Sequence, residues 1–452
     1  MTDYLGIAAH LAADIAEGRL RPGERLPTQR AFAHSRGIAT STASRVYAEL
    51  VRMGLVTGEV GRGTYVRTTA PPSSPALAEP ALARIDLETN YPILPDQHVL
   101  MSRVLGTLVR RPEALDRALR AVNVQGTAAD RAAIASTLSY GGWKAKPENL
   151  LFAGNGRQAL TAAFSALVPP GGRIGFEALT YPVAKASAMR LGFSTVALIC
   201  DEQGVTPDAL KTAHRKAPLH AVYLQPTAQN PSGTTMSNER RQEIVATVRR
   251  LKRPDNAPVH IVEDAVYSFL EPQAPPPLAA LAQDTVVLVD SFSKRASPGL
   301  TIGIISAPAT LHLRLIAALR SGGWGPTAFP LEIAVRYASD GAISALEDAK
   351  RADAAARQAI ASRELAGLSM RRNPSTYHLL LDLPEQWRAE VFALAMARRN
   401  IAVTPAAAFA VMPAHAPNMV RIALANHDRA ILSTALAVVK GVALSEVDVA
   451  NE

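Results

Sequence analysis

The chain reads as an α/β protein carrying a small helix-turn-helix head, and three features lead to that reading. From about 150 to 306, apolar segments of four to six residues alternate with helical stretches, the pattern of a largely parallel sheet with helices on both faces. Near the N-terminus two short helical stretches flank Gly37 and run into a glycine-rich hairpin. Between these regions, residues 68–84 (TTAPPSSPALAEPALAR) are rich in Pro, Ser and Ala with little charge, which predicts a semi-extended linker. The expected organisation is a head over 1–67, a linker over 68–84 and a body over 85–452.

Composition supports large buried cores. Of 452 residues, 48% are hydrophobic and only 19% charged, which excludes a disordered chain. The net charge of +9 permits a polyanionic partner. Cys200 is the single cysteine, so a disulfide framework is excluded and a reducing, cytoplasmic setting is expected. The first residues are amphipathic rather than basic-then-apolar, and no apolar run reaches 18 residues; neither a signal sequence nor a membrane span is expected. No P-loop, internal repeat or metal-ligand cluster stands out, and the ten histidines are scattered.

In the head, Leu5, Ala8, Leu11, Ala12 and Ile15 lie at helical spacing over 4–17, and Gly18 ends the run. Residues 20–26 read as a turn-rich connection. Helices are expected over 28–35 and 41–53. The second opens with TSTASR (40–45), small hydroxyl residues and an arginine suited to a major groove. VTGEVGRGTYV (56–66) predicts a β-hairpin wing with Arg62 at its tip, able to reach phosphates or a minor groove. LPTQRAFA, SRVYAELVRMGLV and GRGTYV resemble the winged-helix domain of the GntR family of bacterial transcription regulators. That resemblance implies double-stranded operator DNA as partner, with Arg30, Thr40, Ser41, Thr42, Arg45, Arg62 and Gly63 as contacts.

In the body, strands are expected at 150–153, 173–176, 195–199, 221–225, 259–263, 286–290 and 301–306. The stretch VVLVDSFSKRASPGLTIGII (286–305) organises the rest. Its apolar start predicts a strand buried on both faces, with Asp290, Ser291, Ser293 and Lys294 at the carboxyl end, where open α/β sheets bind ligands. A lysine that loses solvent there drops its pKa and becomes an amine nucleophile towards an aldehyde.

Other polar groups fall at neighbouring strand ends. Gly156, Arg157 and Gln158 in GNGRQAL open a helix, as an anion cradle or simply a tight turn. Tyr181 offers an aromatic face, QPTAQNPSG presents Asn230, and VEDAVYSFL presents Asp264 and Tyr267. Pyridoxal phosphate needs this set together. Lys294 supplies the Schiff base and Asp264 holds the pyridine nitrogen protonated. Asn230 and Tyr267 serve the ring oxygen, Tyr181 stacks, and the glycine turn with Ser291 cradles phosphate.

The order and spacing resemble fold-type I pyridoxal-phosphate enzymes of the aspartate aminotransferase kind over roughly 86–428. That resemblance implies a mixed, mostly parallel sheet and a smaller C-terminal α+β subdomain. In VRIALAN (420–426), Arg421 matches the arginine that grips a substrate carboxylate, and Asn90 and Tyr91 resemble the segment closing over the substrate side. A GntR-type head on such a body is the architecture of the MocR subfamily of regulators. Two departures stand out. Thr301 occupies the position of the usual phosphate-binding arginine, so Arg157 or Arg295 is expected to supply the positive charge, while Ser293 is expected among the cofactor-binding residues. The tyrosine-glycine stretch usually lent by a partner subunit is replaced, Tyr140 being the nearest substitute. The leading expectation is a homodimeric regulator, its heads open to exchange between protomers, that senses an amino compound or the cofactor itself. A true aminotransferase and a cofactor-free dimerisation scaffold are the alternatives.

Overall fold

In the computed structural model the described residues are 4–16, 19–20, 24–52, 55–59, 63–66, 83–322 and 325–445. The chain divides into two compact units, 1–78 and 79–452.

The first unit holds α1 (Tyr4–Ala16), α2 (Gln29–Arg36), α3 (Thr40–Arg52), β1 (Val56–Glu59) and β2 (Gly63–Val66). Thr28 caps α2 by accepting from the Ala31 N–H, and Gly37 ends it at φ +60°, a left-handed conformation that glycine adopts without Cβ strain. The Gly37 turn sets α3 across α2. Phe32, Val46, Tyr47 and Leu50 then pack with Ala8, Leu11, Val56 and Val66 in one core. β1 and β2 pair antiparallel, Val56 opposite Val66. Residues 24–26, expected to be only a turn, also pair with β2: Leu26 N–H donates to Thr64 O and Val66 N–H to Glu24 O, each at 2.8 Å. The open edge of β2 offers backbone groups that need partners, and the connection supplies them.

The second unit is built on seven strands: β3 (Leu150–Ala153), β4 (Arg173–Glu177), β5 (Ser194–Leu198), β6 (Ala221–Leu224), β7 (His260–Asp264), β8 (Val286–Ser291) and β9 (Gly303–Ser306). Their order is β3-β9-β8-β7-β6-β4-β5. All pairings from β8 through β7, β6 and β4 to β5 are parallel. β9 runs antiparallel to both β8 and β3. Alternate residues of β8 feed two cores. Val287 and Val289 pack with the helix that follows β3, whereas Val286 and Leu288 pack with helices Pro207–Lys216 and Asn238–Arg250. Burial on both faces is why the sequence shows no alternation there.

After the sheet, the long helix α4 (Ala342–Glu364) leads to a four-stranded antiparallel sheet of β10 (Met370–Arg372), β11 (His378–Asp382), β12 (Thr404–Pro405) and β13 (Met419–Ala423), in the order β10-β11-β13-β12. Helix Arg429–Leu444 covers it through Leu432, Leu436 and Val439.

Candidate functional site

The carboxyl ends of the parallel strands bring most of the expected groups together. β8 ends in the short helix Phe292–Arg295, capped by Ser291, whose hydroxyl accepts from the Ser293 N–H. Lys294 projects from that helix. Its Nζ donates to the Asn90 carbonyl at 2.6 Å and lies 3.7 Å from the Tyr91 ring centroid and 5.9 Å from that of Tyr267. Burial, with Arg421, Arg157 and Lys350 adding positive potential, pulls the Lys294 ammonium down to about 7. Near neutrality a large share of it is free amine.

Asp264, at the end of β7, is buried. It accepts from the Tyr223 hydroxyl at 2.6 Å, Gln225 Nε2 at 3.1 Å and the Val266 N–H at 3.1 Å. Burial pushes it up to about 6 although these hydrogen bonds favour the carboxylate. Tyr223 and Gln225 occupy alternate positions running off the end of β6, so they face Asp264 together. The sequence reading missed both; the alternation in AVYLQ was the available signal. The Asn230 and Asn90 side-chain oxygens are buried without a partner, and Asn90 Nδ2 reaches the Tyr267 hydroxyl at 3.5 Å.

Beyond β3, Asn155 caps helix Gly156–Leu167, its Oδ1 accepting from Gln158 N–H at 2.9 Å. Gln158 Oε1 in turn accepts from Gly154 N–H at 2.6 Å, so this residue holds the turn and its own N–H is already used. A Cβ on Gly156 would meet Ser291 Cβ at 2.9 Å; the helix start therefore approaches β8 only as glycine. Facing it, the hydroxyls of Ser291, Ser293 and Thr301 form a cluster with separations of 3.0, 3.1 and 2.5 Å. The Arg157 guanidinium stands by the Tyr181 and Tyr91 hydroxyls, which hold it charged.

Arg295 is not part of this cradle. It is buried with Nη2 2.7 Å from Asp290 and Nη1 2.5 Å from Glu347, and although burial opposes its charge, these two carboxylates keep it fully protonated. Adjacent residues on a short helix face different ways, so Arg295 turns to α4 as Lys294 enters the pocket. Tyr140 stacks edge-on against Trp143 with centroids 6.5 Å apart, inside its own unit.

On β13, Arg421 is buried, donates to the Glu88 carbonyl and lies 5.2 Å from the Phe409 ring; its Nε has no partner. Glu88, Asn90 and Tyr91 belong to a strap tied to the C-terminal region. Asn426 Nδ2 donates to Asp86 at 2.8 Å, and Tyr91 N–H donates to Asn426 Oδ1 at 3.0 Å.

In the head, α3 exposes Thr40, Ser41 and Arg45 and half-buries Thr42, while Ala43, Val46 and Tyr47 face the core. Arg30 is exposed on α2. Gly63 starts β2 at φ +125°, where a Cβ would meet Arg25 Nε at 2.7 Å. Arg62 lies outside the described residues, as do 68–82 of the expected linker. Among the described residues no helix is long and apolar enough to cross a membrane, and no group of side chains is arranged to hold a metal.

This sheet, with a lysine and a carboxylate at adjacent strand ends and an arginine on the small antiparallel sheet, defines a body of the fold-type I pyridoxal-phosphate class, here joined to a helix-turn-helix head. The chain belongs to the aminotransferase class I and II family, which matches residues 84–439, and bears at 3–66 a domain of the gntR family of bacterial regulatory proteins. It is 26% identical over 410 residues to the HTH-type transcriptional regulator YdeF of Bacillus subtilis, covering 90% of this chain and 87% of that protein. It is 27% identical over 316 residues to the pyridoxine biosynthesis transcriptional regulator PdxR of Corynebacterium glutamicum, covering 68% and 66%. The multiple substrate aminotransferase of Thermococcus profundus superposes with a TM-score of 0.71 at 20% identity, over 83% of this chain and 94% of that one. The chain is thus a GntR-type regulator with an aminotransferase-like body, and the head implies DNA binding.

Pyridoxal phosphate is the cofactor of this class, and the residues present fit it. A desolvated amine, a buried carboxylate that forms no ion pair among the described residues, and an orphaned Asn230 oxygen stand together. The helix start beside three hydroxyls suits a phosphate.

Proposed function

We propose that the protein is a transcription regulator that responds to an amino compound bearing a carboxylate, with pyridoxal phosphate held on Lys294. The observation carrying this reading is the pairing of Lys294, depressed to about 7, with a buried Arg421 whose Nε has no partner. Lys294 would hold the cofactor covalently, Asp264 would keep a proton on its ring nitrogen, and Asn230 with Tyr267 would bind its ring oxygen. Tyr181 would stack on the ring. The N-terminus of helix Gly156–Leu167, the hydroxyls of Ser291, Ser293 and Thr301, and Arg157 would hold the phosphate. When bound, the cofactor supplies an aldehyde carbon open to amine exchange and a ring that withdraws electrons.

Arg421 would grip the effector carboxylate bidentately, exchanging the Glu88 carbonyl for a charged partner. Lys294 would likewise give up its hydrogen bond to Asn90 O. Both events act on one strap, 86–91, so effector binding has a means of favouring one arrangement of the body over another, which a regulatory switch requires. Boundaries at 1–67, 68–84 and 85–452, a two-fold homodimer matched to paired half-sites, and a cytoplasmic location complete the proposal. Arg30, Thr40, Ser41, Thr42, Arg45, Arg62 and Gly63 are the proposed DNA contacts.

A second reading, an aminotransferase with a DNA-binding head, is favoured by the presence of Lys294, Asp264, Tyr267 and Arg421 together. Absorbance spectra of the purified protein with pyridoxal phosphate, scanned against amino compounds, separate the two. A visible band of lysine-bound cofactor that shifts for one compound and then stays put supports a sensor. Repeated interconversion with the pyridoxamine form on adding an oxo acid means an enzyme. No band at all overturns both.

A further inference from the structure

His378 opens β11 and its side chain is fully buried. Its Nε2 lies 3.0 Å from the Gln229 carbonyl oxygen. A carbonyl only accepts, so Nε2 carries the ring proton and Nδ1 is left as a bare acceptor. That Nδ1 is buried and has no partner. Burial, reinforced by the positive potential of Arg421 and Lys294, pulls the imidazole down to about 4, so it stays neutral at physiological pH.

Register places this acceptor at the site. β11 and β13 pair antiparallel with Leu380 opposite Arg421 and His378 opposite Ala423. Side chains two apart on a strand share a face, so His378 and Arg421 are diagonal neighbours on the same face of the small sheet. Its ring also packs 5.7 Å from that of Tyr267. A buried acceptor without a partner is a cost to the fold, and here it belongs to a residue on the same sheet face as Arg421, whose Nε also has no partner.

We infer that His378 is a specificity-determining residue of the effector pocket, its Nδ1 accepting a hydrogen bond from a hydroxyl or amine on the effector side chain. The effector class is then an amino acid with a side-chain donor, in preference to apolar amino acids of the same shape. This rests on the reading of Lys294 and Arg421 given above and adds to it the identity of the side chain recognised.

The test compares isosteric pairs, L-threonine with L-valine and L-homoserine with L-norvaline, by titrating the visible band of the cofactor-loaded full-length protein. In the wild type, at least one hydroxyl-bearing member should bind about tenfold or more tighter than its isostere, because the apolar analogue leaves the acceptor unpaired. His378→Phe should erase that ratio while His378→Gln, which retains an acceptor, should keep part of it. Equal affinities within both pairs in the wild type overturn the inference even if no variant folds. A ratio unchanged in His378→Phe overturns it as well. A wild-type protein lacking the band sinks the parent reading, and this one with it; a band without selectivity sinks this one alone.

Discussion

Lys350 on α4 is fully buried, and its Nζ donates to the main-chain oxygen of Lys294 at 2.8 Å and to that of Ala296 at 2.5 Å. The helix leading to the small sheet therefore clamps the backbone carrying the reactive lysine. Tyr377, just before β11, adds a hydrogen bond to the Lys350 carbonyl at 2.7 Å. Lys350→Met keeps the stem's packing but removes both donations; Gln97 still serves Ala296 at 2.9 Å, while the Lys294 carbonyl loses this partner. We expect a loss of about 1–3 kcal/mol in chemical denaturation. An unchanged unfolding midpoint would show that the clamp contributes nothing.

Stability of the cofactor-free protein should rise with pH between about 8 and 9. Burial lowers Lys294 and Lys350 to about 7 and Lys185 to about 8, against about 10.4 for lysine in the unfolded chain. Across this window the unfolded state holds protons that the native state has released, so stability increases as pH increases. Glu177 acts oppositely at lower pH: burial raises it to about 8, so its effect is a loss of stability as pH climbs towards 8. Cys200, raised by burial to about 12, opposes the lysines as the unfolded thiol ionises around its ordinary value near 9, but it is one group against three. Urea unfolding at pH 8 and 9 reads the slope, expected to be on the order of 1 kcal/mol per unit or more. Lys294→Met should reduce the slope by the share of one lysine, leaving that of Lys350 and Lys185; a falling slope in the wild type would contradict the burial argument.

Phosphate affinity should depend on Arg157. With Thr301 offering only a hydroxyl to the cluster of Ser291 and Ser293, and Arg295 committed to Asp290 and Glu347, Arg157 is the arginine at the start of the helix facing that cluster. Arg157→Ala should weaken pyridoxal phosphate binding roughly tenfold to a hundredfold, the value of a charge-assisted hydrogen bond. Thr301→Arg in that background should recover much of the loss. Equal affinity for pyridoxal and pyridoxal phosphate in the wild type would remove the cradle altogether.

What could be read in the sequence follows from how local each signal is. VVLVD announces a strand because both of its faces are buried, and Lys294 and Asp264 are conspicuous because strand ends in such sheets face the ligand. Arg295 misled because it adjoins Lys294 in the chain, whereas its partner Glu347 arrives on a helix 52 residues later. His378 looked like any scattered histidine; only the β11–β13 register places it beside Arg421. Residues 24–26 read as a turn, and no local pattern disclosed that they would also bridge to β2.

Arg421→Ala should separate effector recognition from cofactor loading. The guanidinium is buried and contacts the strap through Glu88 O, so its loss removes the one cation on the small sheet placed to meet a carboxylate in this proposal. Affinity for carboxylate-bearing amines should fall at least about a hundredfold, the scale of deleting one partner of a buried charge pair. Pyridoxal phosphate should still give the lysine-bound band. Matched amines lacking a carboxylate provide the control, and if they lose affinity equally, the arginine is acting on the pocket's shape rather than on the carboxylate.

Arg45→Ala addresses the other unit. Arg45 is exposed on α3, with its guanidinium 6.0 Å from the Tyr4 ring, so that packing alone gives it little to hold. If it meets a phosphate, binding to operator fragments should weaken at every sequence alike and the salt dependence of log K should lose about one unit of slope. If it meets a base edge, specificity should relax at one position, at a cost of about 1–3 kcal/mol there. Either result, with cofactor absorbance unchanged, assigns α3 as the recognition helix. Undiminished operator binding would move the DNA contact elsewhere on the head.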